Sequence, residues 1–459
     1  ELKREKFTVH RSSLGFFSLE PPVAGASWEV IAPQVERGEW GSGAWVIEVV
    51  SLTDLIALTQ QVDGLTNAVT TYDPDHAYQP KAIFLPTGSG NELQTLFTYD
   101  TRHRLTTVTH QTCLLATGAG HACNGAPTAL GSDIYAYDNN DNRTGVVEAN
   151  GATSSDRRYC YDALDQLVYR NTAAACSATV NDEAYTYDDA GNRKSAPGDT
   201  FTYSPDGQLC LIDGVPTCPG DPNTWDVRYD TTGRTTLYNG WTFAYDSKGR
   251  MLSACKSPTC AAGFDRVEFA YDGEDHRTQL KTTSAAGAVA TRDFRYQGDA
   301  IVEEKLTDAA HPSSGAVVRS YVVDDAGSPV KLVIPGGEPG AGTYLPTWNG
   351  HGDALALWRV ADDGSGVLSL ANSYTYSTWG QPTTAVHNGI ADLGFRFLYV
   401  GEFDVQWDDA FGLGLLYMHA RHYAPALGRF LTPDPDRSEA NLYAYAANSP
   451  VTEIDPDGT

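Results

Sequence analysis

Nine short phrases place an aromatic or apolar residue, one small or polar residue, and a tyrosine in front of a turn. They include "FTYDTRHRLTTV", "YAYDNNDNRTGV", "YTYDDAGNRKSA" and "FAYDSKGRMLSA", and their tyrosines are Tyr99, Tyr137, Tyr161, Tyr187, Tyr203, Tyr229, Tyr245, Tyr271 and Tyr296. From Tyr187 to Tyr271 the spacing alternates 16, 26, 16, 26, so long and short returns join similar units. Apolar residues at alternate positions are the signature of a strand with one buried face. The Asp-x-x-Gly that follows supplies a hairpin turn, because Asp bonds its own backbone and Gly accepts positive φ. No comparable stretch has the 3.6-residue period of a helix, so the chain reads as all-β, built of antiparallel hairpins. One hairpin cannot bury its own face, so neighbours must stack into a continuous sheet that twists and, over many strands, curls. A propeller is the competing geometry, but its blades would repeat evenly from end to end, and this period drifts outside the middle.

A chain of 459 residues, 41% hydrophobic and 20% charged, can bury a large core and could hold several domains. Its net charge of −26 opposes binding to nucleic acid or an anionic membrane surface. The longest apolar run, "GAWVIEVVSLTDLIALT" from Gly43, is interrupted by Glu48 and Asp54, so no membrane span is expected. The chain opens "ELKREKFTVHRSS", with neither an initiator Met nor an apolar leader, and reads as a fragment or a processed piece.

All eight cysteines fall between Cys113 and Cys260 and pair off in succession: Cys113 with Cys123, Cys160 with Cys176, Cys210 with Cys218, Cys255 with Cys260. Short-range pairs in an even count suggest disulfides closing loops in an oxidising compartment, hence a secreted or cell-surface protein. Eight unrelated buried thiols is the plainer alternative. A zinc site is the weaker one, since no CxxC occurs.

The Tyr-Asp-x-x-Gly-Arg phrase resembles the YD repeat of the Rhs family. "YTYSTWGQP" from Tyr374, "FGLGLLYMHARHYAPALGRFLTPDP" from Phe411 and "NLYAYAANSPVTEIDPDG" from Asn441 resemble the Rhs-associated core. The resemblance implies a large spiral sheet of YD hairpins forming a hollow shell, closed by the C-terminal core. It divides the chain into degenerate upstream repeats or a cap at 1–71, a YD-repeat shell at 72–345 and a core domain at 346–459. Relatives of this kind include bacterial Rhs effectors, the C components of insecticidal toxin complexes, and teneurins. In the toxins the shell encloses a variable C-terminal toxic cargo, and the core cuts the chain just after Asp-Pro-x-Gly.

That cut is attributed to an aspartyl-type activity, which needs two carboxylates able to share a proton. The matching residues are Asp434 of "TPDPD" and Asp455 of "EIDPDG", brought together by a returning strand through "NLYAYA", with Arg429 steadying the loop and Asp436 and Asp457 as substitutes. The plain reading of both Asp-Pro motifs is a turn without chemistry. Thr459 stands where the self-cleaving relatives commonly have Leu, which leaves cleavage at this bond open.

"DNNDNRTG" after Tyr137 begins like a calcium loop but has Arg143 where Gly is required and Ala149 where Glu is required, so it reads as a repeat turn. His419 and His422 lack further ligands, and nothing points to a cofactor. The expected function is therefore structural: a shell isolating a toxic C-terminal cargo, at most an intramolecular autoprotease. A partner shell chain or an N-terminal delivery module would complete it. The alternative is a teneurin-like adhesion shell that binds carbohydrate and does not cut itself.

Overall fold

The computed structural model describes the strands Val9–Arg11, Phe17–Leu19, Gly43–Val46, Gln60–Asp63 and Val69–Asp73, and residues 79–459 apart from short stretches, the longest being 173–181. It is antiparallel β almost throughout, and within each sheet the strands are hydrogen-bonded in sequence order. An eleven-stranded sheet runs from Gly43–Val46 to Glu183–Ala184, a four-stranded one from Thr186–Tyr187 to Leu209–Ile212, and a fourteen-stranded one from Arg228–Tyr229 to Pro382–His387. A last four-stranded sheet, Gln406–Asp408 to Arg429–Phe430, sits against the inner face of this ladder. Among the described residues no helix is long and apolar enough to cross a membrane.

The repeat phrase explains the ladder residue by residue. In "FAY" Phe269 is buried, Ala270 is exposed, and Tyr271 is half-buried against the core. A bulge then makes Arg277 the partner of Tyr271 while Gln279 faces Ala270. The turn Asp accepts from the backbone N–H groups two and four residues on, as Asp246 does from Lys248 and Arg250. Arg104, Arg234 and Arg250 each pair with the turn Asp four residues before them. Asn142, in the stretch that begins like a calcium loop, is 5% exposed and gives its amide to Asp138 and Asp165, which makes it a turn brace.

Tyrosine serves in place of phenylalanine because its hydroxyl joins most repeats to the one before; Tyr229 accepts from the Leu209 N–H instead, and the buried Tyr245 hydroxyl has no hydrogen-bond partner among the described residues. Tyr137 donates to the Leu105 carbonyl, Tyr161 to Arg143, Tyr187 to Leu167, Tyr203 to Arg193, Tyr271 to Met251 and Tyr296 to Arg277, all at 2.7–3.0 Å. The accepting residue is in each case the one opposite the preceding repeat's tyrosine, as Arg143 is to Tyr137 and Met251 to Tyr245. Burial pushes the Tyr161, Tyr187, Tyr203, Tyr271 and Tyr296 phenols upward, so they remain donors at neutral pH. Tyr271→Phe is expected to cost about 1 kcal/mol in denaturant unfolding, because it strips a partly buried carbonyl of its donor.

The ladder winds far enough to meet itself. Thr87, Ser89 and Asn91 donate to the carbonyls of Gly366, Gly364 and Ser365. Leu85, Leu93 and Leu130 of the eleven-stranded sheet pack in one cluster with Leu345, Ala356 and Trp358 of the fourteen-stranded one. No Cβ fits where the two turns touch: one on Gly366 would stand 2.4 Å from the Gly88 carbonyl oxygen. Disulfides join Cys113 to Cys123, Cys210 to Cys218 and Cys255 to Cys260. Cys160 is also disulfide-bonded, and Cys176 lies outside the described residues.

Three arginines rivet ladder to core. Arg143, Arg193 and Arg277 occupy the inward position opposite the repeat tyrosine that Leu105, Leu167, Leu209 and Met251 fill elsewhere. They are 8%, 4% and 0% exposed, so each charge must find a partner inside. Arg143 reaches the Gly350 carbonyl and Arg193 that of Ala426, while Arg277 pairs with Asp408 and donates to Gln406. Glu304, fully buried, answers from the sheet side: it binds Arg396 of the core at 2.8 Å, Arg292 at 3.2 Å and Arg319 at 3.7 Å, and accepts from Tyr321.

Candidate functional site

Both Asp-Pro motifs follow the hairpin Leu415–Met418 and Arg421–Ala424 in the chain. The chain leaves this hairpin through Arg429–Phe430, turns at Asp434 and comes back past Leu442 and Ala444. This return is a bent segment with one bridge, Arg429 to Ala444, where the sequence led us to expect a strand. Two features break it: Asn441 accepts from the Tyr443 N–H, and Ala446, Ala447 and Asn448 all take positive φ. Asp434 is 4% exposed, accepts from the Asp436 N–H at 2.8 Å, and gives its own N–H to the Leu442 carbonyl at 2.7 Å.

The final turn, Asp455 to Thr459, folds onto the hairpin's tip. The Ala420 N–H donates to the Asp457 carbonyl, and Gly458 sits at φ +67° against Met418 and Arg421. Asp455 Oδ1 accepts from the N–H groups of Gly458 at 2.9 Å and Thr459 at 3.1 Å. Its Oδ2 accepts from Arg421 Nη2 at 3.0 Å. Arg421 is 4% exposed and lies 3.5 Å over the Phe430 ring. Its Nε donates to the Gly458 carbonyl at 2.6 Å and its Nη1 approaches the Leu442 carbonyl at 3.4 Å. One guanidinium thus holds the Asp455 carboxylate, the carbonyl of the Gly458–Thr459 peptide, and the carbonyl to which Asp434 is tied.

Burial pushes the Asp455 carboxyl above its ordinary value, while Arg421 and the two backbone N–H groups pull it down. The substitutes Asp436 and Asp457 are exposed. Arg429 stands elsewhere: it donates to the Gly207 carbonyl at 2.9 Å and lies over the rings of Tyr203 and Tyr443. The arginine on Asp455 is Arg421, within the "MHARHY" stretch whose histidines alone drew notice in sequence. Those histidines face different carboxylates, His419 beside Asp404 at 3.9 Å and His422 beside Asp408 at 3.8 Å. Chemically the arrangement can polarise one peptide carbonyl and hold its amide nitrogen against a carboxylate.

No family model matches the chain. Among curated proteins it is 29% identical over 331 residues to the tRNA3(Ser)-specific nuclease WapA of Bacillus spizizenii, covering 71% of this chain and 11% of that protein. It is 27% identical over 231 residues to the double-stranded DNA deaminase toxin A of Burkholderia cenocepacia, covering 41% of this chain and 15% of that one. The chain therefore spans only about a tenth to a seventh of these relatives. Among solved structures, the TcdB2-TccC3-TEV crystal structure superimposes with a TM-score of 0.62 at 19% identity, over 88% of this chain and 21% of that chain. In fold, then, this chain is a wound antiparallel β-sheet of the kind that makes up about one fifth of the chain in the TcdB2-TccC3-TEV structure.

Proposed function

We propose that this chain is the C-terminal part of a Rhs/YD-repeat shell that encloses a toxic cargo and detaches it by cutting the Gly458–Thr459 peptide. The observation that carries this reading is Arg421, which ties the Asp455 carboxylate to the Gly458 carbonyl. In the reaction, water adds to the Gly458 carbonyl carbon while a carboxylate takes one of its protons. The C–N bond then breaks as a proton reaches the Thr459 nitrogen. Arg421 stabilises the developing oxyanion, and Asp434 and Asp455 are the acid-base pair. The resemblance to WapA and to a deaminase toxin supports a toxin-related shell. A partner shell chain, an N-terminal delivery module and a secreted or cell-surface setting belong to the same proposal. The loop-closing disulfides favour that setting.

A version carrying about 50 native residues beyond Thr459, measured by intact mass and C-terminal sequencing, tests it. The unmutated chain is expected to be cut after Gly458, and Asp434→Asn and Arg421→Gln to stay whole while folding normally. If the unmutated chain also stays whole, the Asp-Pro motifs are turns only. The disulfide-closed loops would then favour the adhesion reading, with carbohydrate as its ligand.

A further inference from the structure

The face on which the wound sheet meets the core carries a carboxyl with nothing to hold it. Asp133 lies in the strand Thr128–Tyr137, is 1% exposed, and has no hydrogen-bond partner on either oxygen. Directly across the ladder stands Glu148, whose carboxylate is taken by Arg157 at 2.6 Å. On the other side Val108 faces Asp133, and His110 nearby is turned to Thr95 and the Trp348 carbonyl.

The same sheet face closes a seam. Tyr135 accepts from the Gly350 N–H, Arg143 reaches the Gly350 carbonyl, and the Arg143 N–H donates to Thr452. The turn across the seam brings Asp353, which accepts from Val400 and faces His351, and His351 lies 3.4 Å from the Glu453 carbonyl. The charged or titratable groups around Asp133 are thus Glu148, Arg143, Arg157, Tyr135, Tyr159, His351 and Asp353, and none of them bonds it.

An ionised carboxylate without a partner cannot stay in such a place; it must be neutral or reach water. We propose that Asp133 is a proton-binding site that keeps the seam shut: protonated, it packs as a neutral group, and its ionisation opens the seam. Burial pushes its carboxyl well above the ordinary range, the Glu148 charge adds to this, and Arg143 and Arg157 oppose it. In an opened seam the same carboxyl titrates near its free value of about 3.9. The closed form then binds the extra proton, and the opening equilibrium rises about tenfold per pH unit from roughly pH 4 until the closed form also ionises.

Hydrogen exchange on the full chain, comparing wild type with Asp133→Asn at each pH, cancels the intrinsic chemistry of exchange. Asn mimics the neutral carboxyl. Amides of 131–137, 145–150, 349–353 and 450–453 are expected to exchange equally in both proteins near pH 4. At about pH 7 the wild type is expected to exchange at least tenfold faster. A ratio that does not change with pH would overturn the proposal. Should the variant fail to fold, wild type alone decides, with the strand Ala300–Thr307 as internal reference: the seam must open relative to it as pH rises, and constant relative protection refutes the idea.

Discussion

Replacing Glu304 by Gln is expected to lower stability by about 3–5 kcal/mol, the range seen when a buried charge cluster loses one sign. Arg396, Arg319 and Arg292 all converge on this carboxylate, and Arg396 would be left in the core without its counter-charge. Gln keeps the volume and can still accept from Tyr321, so the loss measures charge rather than packing. Burial alone would raise the Glu304 carboxyl, but Arg396, Arg319 and Arg292 hold it well below the usual range. A carboxyl lowered in the folded state contributes stability that is present above its unfolded value of about 4.3 and is lost as pH falls toward the lowered one. Denaturant midpoints of the two proteins should therefore differ most near neutrality and converge below about pH 4. A gap that stays constant across that range would show the cluster is not what holds core to sheet.

Gly458→Ala is expected to slow cleavage of the extended chain at least about a hundredfold, since misplacing a reacting group by about an ångström costs that much. A Cβ at this position would stand 2.3 Å from the Met418 carbonyl oxygen and 3.1 Å from the Arg421 nitrogen, in a backbone conformation of φ +67° that side chains avoid. The turn must shift, and the Gly458 carbonyl leaves Arg421 Nε. Global stability should change little, because Asp457 and Thr459 beside it are exposed. Cleavage time courses followed by intact mass, paired with thermal unfolding, separate the two effects. Undiminished cleavage would mean that this carbonyl is not the one attacked.

Much of the architecture was legible in the phrase itself, because alternation fixes which side of a strand is buried and Asp-x-x-Gly fixes where it turns. Other features needed three dimensions. Arg234 and Arg143 look alike in sequence, each beginning a return strand. Arg234 is four residues past its turn Asp and pairs with it, whereas Arg143 is five past and points inward where other repeats carry Leu or Met. A one-residue offset reverses the face, and only the bulge opposite the tyrosine shows which applies. At the candidate site, Asp434 and Asp455 could be found by motif. Arg421 could not, because what marks it is a hairpin tip meeting a turn 34 residues later. Arg429, expected from the motif to steady the loop, instead lies over the rings of Tyr203 and Tyr443.

The tyrosine bonds to carbonyls run one way: the hydroxyls of Tyr137, Tyr161, Tyr187, Tyr203, Tyr271 and Tyr296 each reach back to a carbonyl already laid down. A chain emerging from the ribosome can therefore extend its sheet repeat by repeat, each new hairpin docking on a finished neighbour. The inward arginines do not share this order. Arg143, Arg193 and Arg277 wait for Gly350, Ala426 and Asp408, so three cations face an open interior until the last hundred or so residues are made. Closing the structure is thus a late event. Chains that stop short should carry an unneutralised inner face, open to solvent and to proteases.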